Sequence, residues 1–385
     1  MRKSYLFLII FVGLSLILVA CGGTATAMPT KEPQLTQAPA DTQTLTQKVI
    51  VGMVTSGSLG DNGIFDLAAA GLERAKQELG IEYKILEGKQ DPSLYFNLLQ
   101  TAAENYGMVL VNPGYQFSEP LKQLAPKYPN TIFVYMDGAS DVEGSNIVSM
   151  ATMDNEGSYL AGVLAAGMTK ATGVEGINED KLVGMVGAID APVINNFLAG
   201  YKQGAASVDP TVMVNVLYAG AFDNPAKGKE LAASLYDLNA DVVYNVAALT
   251  GQGVLQAAKE TGRYAIGVDV DQCATQPGAV LASMMKRFDN TTFLMVKAFA
   301  EGLLEGGQVY AYGLKDSGVE LRMCEETKAV VPADLVNKIA EAQAKIINGE
   351  IKVNTTESAT VPESPATKVI VGMVTSGSLG DNGIF

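Results

Sequence analysis

The chain contains no histidine and no tryptophan, and only three of its 385 residues are cysteine. Histidine is the commonest general base and the commonest transition-metal ligand, so its absence lowers the expectation of an enzyme or a metal site. Charged residues are also sparse, at 18 %, and the formal net charge is −14. An acidic chain argues against nucleic acid as a partner, because phosphate binding depends on lysine and arginine.

The composition instead favours α/β structure. Hydrophobic residues make up 48 % of the chain, and glycine is frequent, with 40 residues. This mixture is typical of strands and helices joined by tight turns, and not of a coiled coil or a disordered chain. The length is sufficient for two α/β lobes with additional tails.

The first residues indicate export. Arg2 and Lys3 precede an apolar run, Tyr5–Val19, which is short for a stable membrane span. The run leads through Ala20 into Cys21, a pattern that resembles a bacterial lipobox and implies a signal peptide at 1–20 and a lipid on Cys21. We therefore expect a protein anchored by lipid to the extracytoplasmic face of the cell membrane.

The stretch 21–47 separates the expected lipid from the folded body. It is rich in threonine, alanine, proline and glutamine and has almost no aliphatic residues. Such a segment cannot bury enough apolar area to offset its ordering entropy. The composition predicts a disordered tether.

From residue 48 onward, short runs rich in β-branched residues alternate with helical stretches. The predicted strands are 48–54, 83–86, 107–111 and 131–136, followed by 182–187, 212–218, 241–245 and 264–268. Strand–helix alternation at this spacing indicates βαβ units and parallel sheets. Two similar halves predict two lobes with a cleft between them, and ligands bind beyond the carboxyl ends of such strands.

The residues at the predicted strand ends are mostly acidic, amide or aromatic. They are Gly60, Asp61, Asn62, Asn112, Tyr115, Asp137, Asp154, Phe222, Asn245, Gly251, Gly253, Asp269 and Asp271. A phosphate loop is disfavoured, because the glycine-rich turn 57–63 has no Lys-Ser/Thr pair and contains an acid. The set suits a neutral ligand rich in hydrogen-bond donors, such as a sugar or nucleoside. For each residue the alternative is a loop side chain that caps a helix or closes a turn.

Cys273 and Cys324 remain after the lipobox cysteine. Export to an oxidising compartment allows a disulfide between them, and the sequence leaves open whether it forms. Neither cysteine has a histidine or cysteine neighbour at metal-ligand spacing, so no metal site is expected.

Several motifs resemble those of one family. The segment 155–166 contains Glu-Gly-Ser-Tyr-Leu-Ala-Gly, which is similar to the signature of the basic membrane protein family, purine-nucleoside-binding lipoproteins that serve ABC importers. Further matching motifs lie in order at 219–223, 257–262, 265–272, 277–278 and 312–314. The resemblance covers residues 48–353.

This resemblance implies a type I periplasmic-binding-protein fold, in which each lobe is a parallel sheet flanked by helices and three crossovers join the lobes. The expected first lobe comprises about 48–155 and 278–310, and the second about 156–277 and 311–353. The resemblance also implies a ligand-binding set: Asp61, Asn62, Phe65, Asn112, Tyr115, Asp154, Phe222, Gly251, Gly253, Asp269 and Lys286.

Roles within this set follow from the family. Aromatic side chains from opposite lobes sandwich a purine, and Phe222 matches the aromatic residue of the second lobe. Asp61 and Asn112 fit the reading of the base edge, while Asp269 and Lys286 fit the ribose hydroxyls. The family pattern Asp-Lys-Ser-Phe-Asn is replaced here by Asp-Asn-Gly-Ile-Phe at 61–65. The first-lobe wall is therefore expected from Phe65 in a shifted turn, or else from Ile64 or Tyr115.

Residues 368–385 repeat residues 48–65 without a difference. A linker at 354–367, rich in threonine, proline, serine and glutamate, precedes the repeat. We interpret 368–385 as the truncated start of a second copy of the domain. Either the chain is part of a tandem receptor, or the reading frame has been cut short.

The sequence thus predicts a solute-binding lipoprotein that delivers a purine nucleoside to the permease and ATPase subunits of an ABC importer. The alternative is a lipoprotein that senses a sugar or another ligand without transport. An enzyme such as a nucleoside hydrolase would need paired acids or a metal site, and it is disfavoured because the chain has no histidine. No cofactor is expected.

Overall fold

The computed structural model describes residues Val49–Thr355. The predicted signal peptide, Cys21, the tether, nearly all of the linker and the repeat at 368–385 lie outside the described residues. Within Val49–Thr355, no helix combines the length and the apolar character that crossing a membrane requires.

The described chain contains twelve strands and nine α-helices. The strands are β1 Ile50–Thr55, β2 Glu82–Glu87, β3 Met108–Asn112, β4 Ile132–Met136, β5 Ile147–Thr152, β6 Leu182–Gly187, β7 Met213–Tyr218, β8 Val242–Val246, β9 Tyr264–Asp269, β10 Val280–Lys286, β11 Val309–Tyr312 and β12 Val319–Met323. The helices are α1 Ile64–Leu79, α2 Pro92–Asn105, α3 Ser118–Leu124, α4 Asp154–Met168, α5 Pro192–Val208, α6 Pro225–Asp237, α7 Gly251–Thr261, α8 Phe288–Ala300 and α9 Ala333–Ile347.

The strands form two six-stranded sheets with matching topology. The first sheet has the order β11-β5-β4-β3-β1-β2, and the second has the order β12-β10-β9-β8-β6-β7. All pairings are parallel except that of β12 with β10. The two sheets thus give two lobes, and the predicted α/β two-lobed fold is confirmed.

The chain passes between the lobes three times, after β5, after β10 and after β11. The position of the second crossing differs from the expected boundary at 278. Strand Val280–Lys286 pairs with β9 and β12 and belongs to the second lobe, whereas Val309–Tyr312 pairs with β5 in the first. The first lobe therefore resumes after Lys286 and continues through Tyr312. Both strands are apolar runs, and such a run does not reveal which sheet it will join.

Local sequence signals explain several helix boundaries. Asp91 accepts a hydrogen bond from the Ser93 N–H, and Asn224 accepts one from the Lys227 N–H, so both residues cap the helix that follows. A proline occupies the first turn of each of these helices, where no N–H is required. Gly80 and Gly262 end α1 and α7 in the left-handed conformation that glycine adopts at low cost.

A disulfide joins Cys273, in the loop after β9, to Cys324, directly after β12. The sequence left this pairing open, and the structure contains it. The bond lies within the second lobe and ties the loop after β9 to the antiparallel edge strand.

Helices α4 and α5 of the second lobe pack closely through glycine. A Cβ atom at Gly204 would overlap the carbonyl oxygen of Tyr159, and one at Gly200 would overlap that of Asn155. These neighbours are backbone atoms, which cannot rotate away as a side chain would. The sequence of α5 therefore allows the two helix backbones to approach within the core.

We predict that Gly204→Ala lowers the free energy of unfolding by about 1–3 kcal/mol, because an added methyl group must push two buried helices apart. Urea denaturation followed by circular dichroism measures the change. Gly107→Ala is the matched control, since its Cβ would meet only the Phe299 ring, at 3.6 Å. Equal stability of the two variants would contradict this account of the α4–α5 contact.

Candidate functional site

A cavity of about 1240 Å³ lies between the two lobes, beyond the carboxyl ends of their strands. The first lobe contributes Tyr115, Tyr135, Asp137 and Thr152 to its lining. The second lobe contributes Phe222, Asp269 and Lys286, together with the segment from Ile189 to Leu198. This is the position that parallel α/β sheets provide for ligands.

A buried lysine lies at the centre of the charged part of the cavity. Lys286, the last residue of β10, forms ion pairs with Asp137 of the first lobe and with Asp154, whose Oδ2 is 3.6 Å from Nζ. Asp154, the first residue of α4, also accepts a hydrogen bond of 2.7 Å from the Thr152 hydroxyl. Asp269 adds a third negative charge near the ammonium group. One cation is thus surrounded by three carboxylates.

Burial dominates the titration of this cluster. It raises the pKa of Asp154 to about 6 and that of Asp269 to about 6, although the Lys286 ammonium opposes the shift. Burial lowers the pKa of Lys286, but the three carboxylates outweigh this effect, so the pKa of the lysine is raised overall. At neutral pH the cluster therefore retains a positive lysine and an excess of negative charge.

Two of the carboxylates occupy equivalent places in the two lobes. Asp137 follows β4 and Asp269 ends β9, and these strands have the same position in the two sheet orders. Both residues have left-handed backbone, with φ of 72° and 67°. Aspartate is one of the few residue types other than glycine that adopt this conformation readily. Matching turns thus bring an acid from each lobe to the same lysine.

Two of the aromatic side chains that line the cavity are exposed and come from opposite lobes. Tyr115, after β3, is 54 % exposed, and Phe222, after β7, is 37 % exposed. Most large apolar side chains of the described residues are buried instead. Exposed aromatic rings on two sides of a cleft can stack on a planar ligand.

Five of the expected ligand-binding residues line the cavity: Tyr115, Asp154, Phe222, Asp269 and Lys286. The other six do not, and the local structure gives a reason for each. The sequence placed them correctly near strand ends, but strand ends also supply helix caps and packing contacts.

Three of these six residues belong to the turn before α1. The Asp61 carboxylate accepts hydrogen bonds from the N–H groups of Gly63, Phe65 and Asp66, so it caps the helix rather than facing the cavity. Asn62 is exposed and donates its N–H to Asp66. The ring of Phe65 is buried against Gly57, whereas Tyr115, one of the alternatives expected from the altered motif, lines the cavity.

The remaining three residues are buried in packing contacts. Asn112 donates a long hydrogen bond of 3.4 Å to the Ile64 carbonyl and is fully buried. A Cβ at Gly251 would overlap the Asn245 side chain, and one at Gly253 would overlap the Pro225 carbonyl. These two glycines allow α7 to approach its neighbours. Packing therefore accounts for glycine at both positions, and contact with a ligand is not needed to explain it.

The segment after β6 was missing from the expected site. Asp190, Asn195, Asn196 and Phe197 line the cavity, and the Asn196 Oδ1 atom is buried without a hydrogen-bond partner among the described residues. The strand-end rule also points to this segment, because it directly follows the predicted strand at 182–187. Asp137 is one of the strand-end residues but lies outside the binding set that the resemblance implies.

Comparison with known proteins identifies relatives. Residues 48–357 match the model of the Bmp family, described as ABC transporter substrate-binding protein PnrA-like. Basic membrane protein D of Borreliella burgdorferi is 28 % identical over 308 residues, which cover 79 % of this chain and 87 % of that protein. The ABC transporter nucleoside-binding protein BmpA of Lactococcus lactis is 32 % identical over 270 residues, which cover 66 % and 73 %. The resemblance drawn from the sequence motifs is confirmed.

Solved structures show the same fold. An ABC transporter solute-binding protein from Aeropyrum pernix is similar with a TM-score of 0.67 and 27 % identity, over 81 % of this chain and 94 % of that one. A transcriptional activator of the comK gene from Bacillus halodurans has the same TM-score at 24 % identity, over 79 % and 100 %. The similarity to the Bacillus halodurans protein shows a shared fold only.

The raised pKa of Asp269 gives a prediction for stability. The folded protein holds the proton up to about pH 6, whereas the unfolded chain loses it near the ordinary value of 3.8. The folded state therefore binds more protons between these values, and stability falls as the pH rises through this window and stays lower above it. The free energy of unfolding of the wild type should therefore be higher at pH 5 than at pH 7.5. In Asp269→Asn this difference should be smaller by about 1 kcal/mol.

Urea denaturation at the two pH values measures this difference. Asp237→Asn, at the exposed end of α6, is the control and should keep the wild-type dependence. If Asp269→Asn also keeps the wild-type pH dependence, the Asp269 carboxylate does not hold its proton up to about pH 6.

Proposed function

This chain belongs to the Bmp family of PnrA-like ABC transporter substrate-binding proteins, and we propose that it captures a purine nucleoside between its lobes and presents it to an ABC importer. The observation that carries the proposal is the interlobe cavity, in which a hydrogen-bonding charge cluster and two exposed aromatic rings lie together. A nucleoside has both a hydroxyl-rich part and a flat apolar part.

The charge cluster suits ribose. Ionised carboxylates of Asp154 and Asp269 accept hydrogen bonds from vicinal hydroxyl groups, and the Lys286 ammonium donates to a hydroxyl or ring oxygen. Hydrogen bonds to charged groups are stronger than neutral ones. The same excess of negative charge repels phosphate, so the proposed ligand is a nucleoside rather than a nucleotide.

The rings suit the base. Tyr115 comes from the first lobe and Phe222 from the second, so a base stacked between them contacts both lobes at once. A ligand that touches both lobes favours the closed arrangement through contacts that the open arrangement lacks. The importer then recognises the closed receptor.

The printed name of the Lactococcus lactis relative states nucleoside binding. Identity of 32 % supports the same class of ligand here without fixing the base. We propose in addition that the chain acts on the extracytoplasmic side of the membrane, held by a lipid on Cys21, and that its partners are the permease and ATPase subunits of the importer.

We predict that Phe222→Ala weakens nucleoside binding about tenfold or more, because stacking of a base on an aromatic ring is worth about 1–3 kcal/mol. Isothermal titration calorimetry with guanosine, inosine and adenosine measures the change. Leu238→Ala removes an exposed apolar side chain outside the cavity and should bind as the wild type does. Unchanged affinity in Phe222→Ala would refute the stacked arrangement, and absence of binding by the wild-type chain would refute the nucleoside proposal.

We predict that Cys21→Ala abolishes fatty-acid labelling and moves the protein from the membrane fraction to the soluble fraction of an expressing bacterium, because the thiol is the proposed site of lipid attachment. Fractionation and immunoblotting measure the distribution. Thr24→Ala, in the adjoining tether, is the control and should stay with the membrane. Continued labelling of Cys21→Ala would show that the lipid is attached elsewhere.

A further inference from the structure

We infer that Asp190 of the second lobe selects bases that present two adjacent N–H donors, as guanine does, over bases that present an acceptor at that edge. The inference rests on the proposed function, since it concerns the base of a nucleoside bound in the same cavity. Neither the sequence motifs nor the family resemblance assigned a role to this residue.

Asp190 is a positioned carboxylate in the cavity lining. It follows β6 by three residues, and its Oδ1 atom accepts a hydrogen bond of 2.8 Å from the Asn195 side-chain amide. The Tyr218 hydroxyl donates to the Asn195 Oδ1 atom at 2.5 Å, which fixes the orientation of that amide. The Asp190 Oδ2 atom takes part in none of the hydrogen bonds among the described residues. The carboxylate is therefore held from one side, and an acceptor oxygen remains for a ligand.

The sheet order separates Asp190 from the charge cluster by a suitable distance. Asp269 ends β9, and Asp190 follows β6, with β8 between these strands. Two strand spacings correspond to about 10 Å. This is comparable with the span of a nucleoside from its ribose hydroxyls to the far edge of its purine. A ligand with its ribose at the cluster thus extends its base towards Asp190.

The stacking residue lies on the neighbouring segment. The N–H of Ala219 donates to the Gly187 carbonyl at 2.9 Å, and that of Gly220 donates to the Ala188 carbonyl at 2.7 Å. These bonds hold the segment that leads to Phe222 beside the segment that leads to Asp190. Phe222 and Asp190 thus line the cavity from adjacent segments, and we infer that a base stacked on Phe222 presents its edge to the Asp190 carboxylate.

The chemistry of a carboxylate determines the preference. Lys286 is the one lysine or arginine among the residues that line the cavity, and it is engaged by Asp137 and Asp154. An ionised carboxylate only accepts hydrogen bonds. Guanine offers N1–H beside its 2-amino group, hypoxanthine offers N1–H alone, and adenine places an acceptor at N1 beside its amino group. The expected order of affinity is guanosine, then inosine, then adenosine.

Calorimetry with guanosine, inosine and adenosine on the wild type and on Asp190→Asn tests the inference. The variant keeps the shape of the side chain and removes its charge. We expect guanosine affinity to fall about tenfold or more, since a bidentate pair of this kind is worth about 1–3 kcal/mol of discrimination. Adenosine affinity should stay the same or rise, because the asparagine amide supplies an N–H donor for adenine N1 beside an acceptor for the adenine amino group. Asp237→Asn, on the surface of the same lobe, should leave all three affinities unchanged.

Tyr218→Phe separates positioning from direct contact. It removes the hydroxyl that orients Asn195 and should reduce the preference for guanosine over adenosine by less than Asp190→Asn does. An equal loss of guanosine and adenosine affinity in Asp190→Asn would overturn the inference while leaving the proposed function intact. If the wild type binds adenosine more tightly than guanosine, that measurement alone overturns the inference and again leaves the proposed function intact. If no nucleoside binds the wild type, the proposed function fails, and the inference fails with it.

Discussion

The ammonium group of Lys286 is buried where the two lobes meet, and a buried charge must be compensated in place. Removing an ammonium from water costs several kcal/mol, which only close opposite charges and hydrogen bonds can offset. Here the compensation comes from Asp137 in the first lobe and from Asp154 and Asp269 in the second. Without the lysine, the buried carboxylate of Asp154 and the half-buried carboxylates of Asp137 and Asp269 would repel one another. The polar end of the cavity thus depends on this one side chain.

The position of Lys286 in the fold makes this interaction an interlobe contact. The residue ends β10 in the second lobe, directly before the chain crosses back to α8 of the first. Asp154 begins α4 immediately after the opposite crossing. Both crossings are therefore anchored to the same cluster. The rings of Tyr115 and Phe222 are carried on separate lobes, so the proposed closure would change the distance between them.

The sequence was sufficient for the fold class, and about half of the expected binding residues line the interlobe cavity. Buried parallel strands are predicted from β-branched runs, so β1, β3, β4, β6, β8 and β9 could be predicted. Strand β5 was not, because Ser149 and Thr152 interrupt its apolar pattern. Asp61 and Asp269 both follow predicted strands, yet one caps its own helix and the other faces the cavity. The difference lies in the backbone of each turn, including the left-handed φ of Asp269, which a list of residue types does not contain.

The surplus of acceptors in the cavity has a consequence for selectivity that does not depend on the identity of the base. In the proposed function, closing the lobes would remove water from Asp154 and Asp269, and every carboxylate left without a donor would then cost free energy. A ligand lacking vicinal hydroxyls would leave those oxygens unpaired, and an anionic ligand would add repulsion in a medium of low dielectric constant. Rejection of such ligands would therefore come from the cost of the closed state rather than from a steric barrier. A site built to hydrogen-bond a substrate discriminates strongly against analogues that lack the groups it expects. The acidity that we propose excludes phosphate would thus also require the bound molecule to be rich in donors, and the hydroxyl-bearing ribose of the proposed ligand meets that requirement.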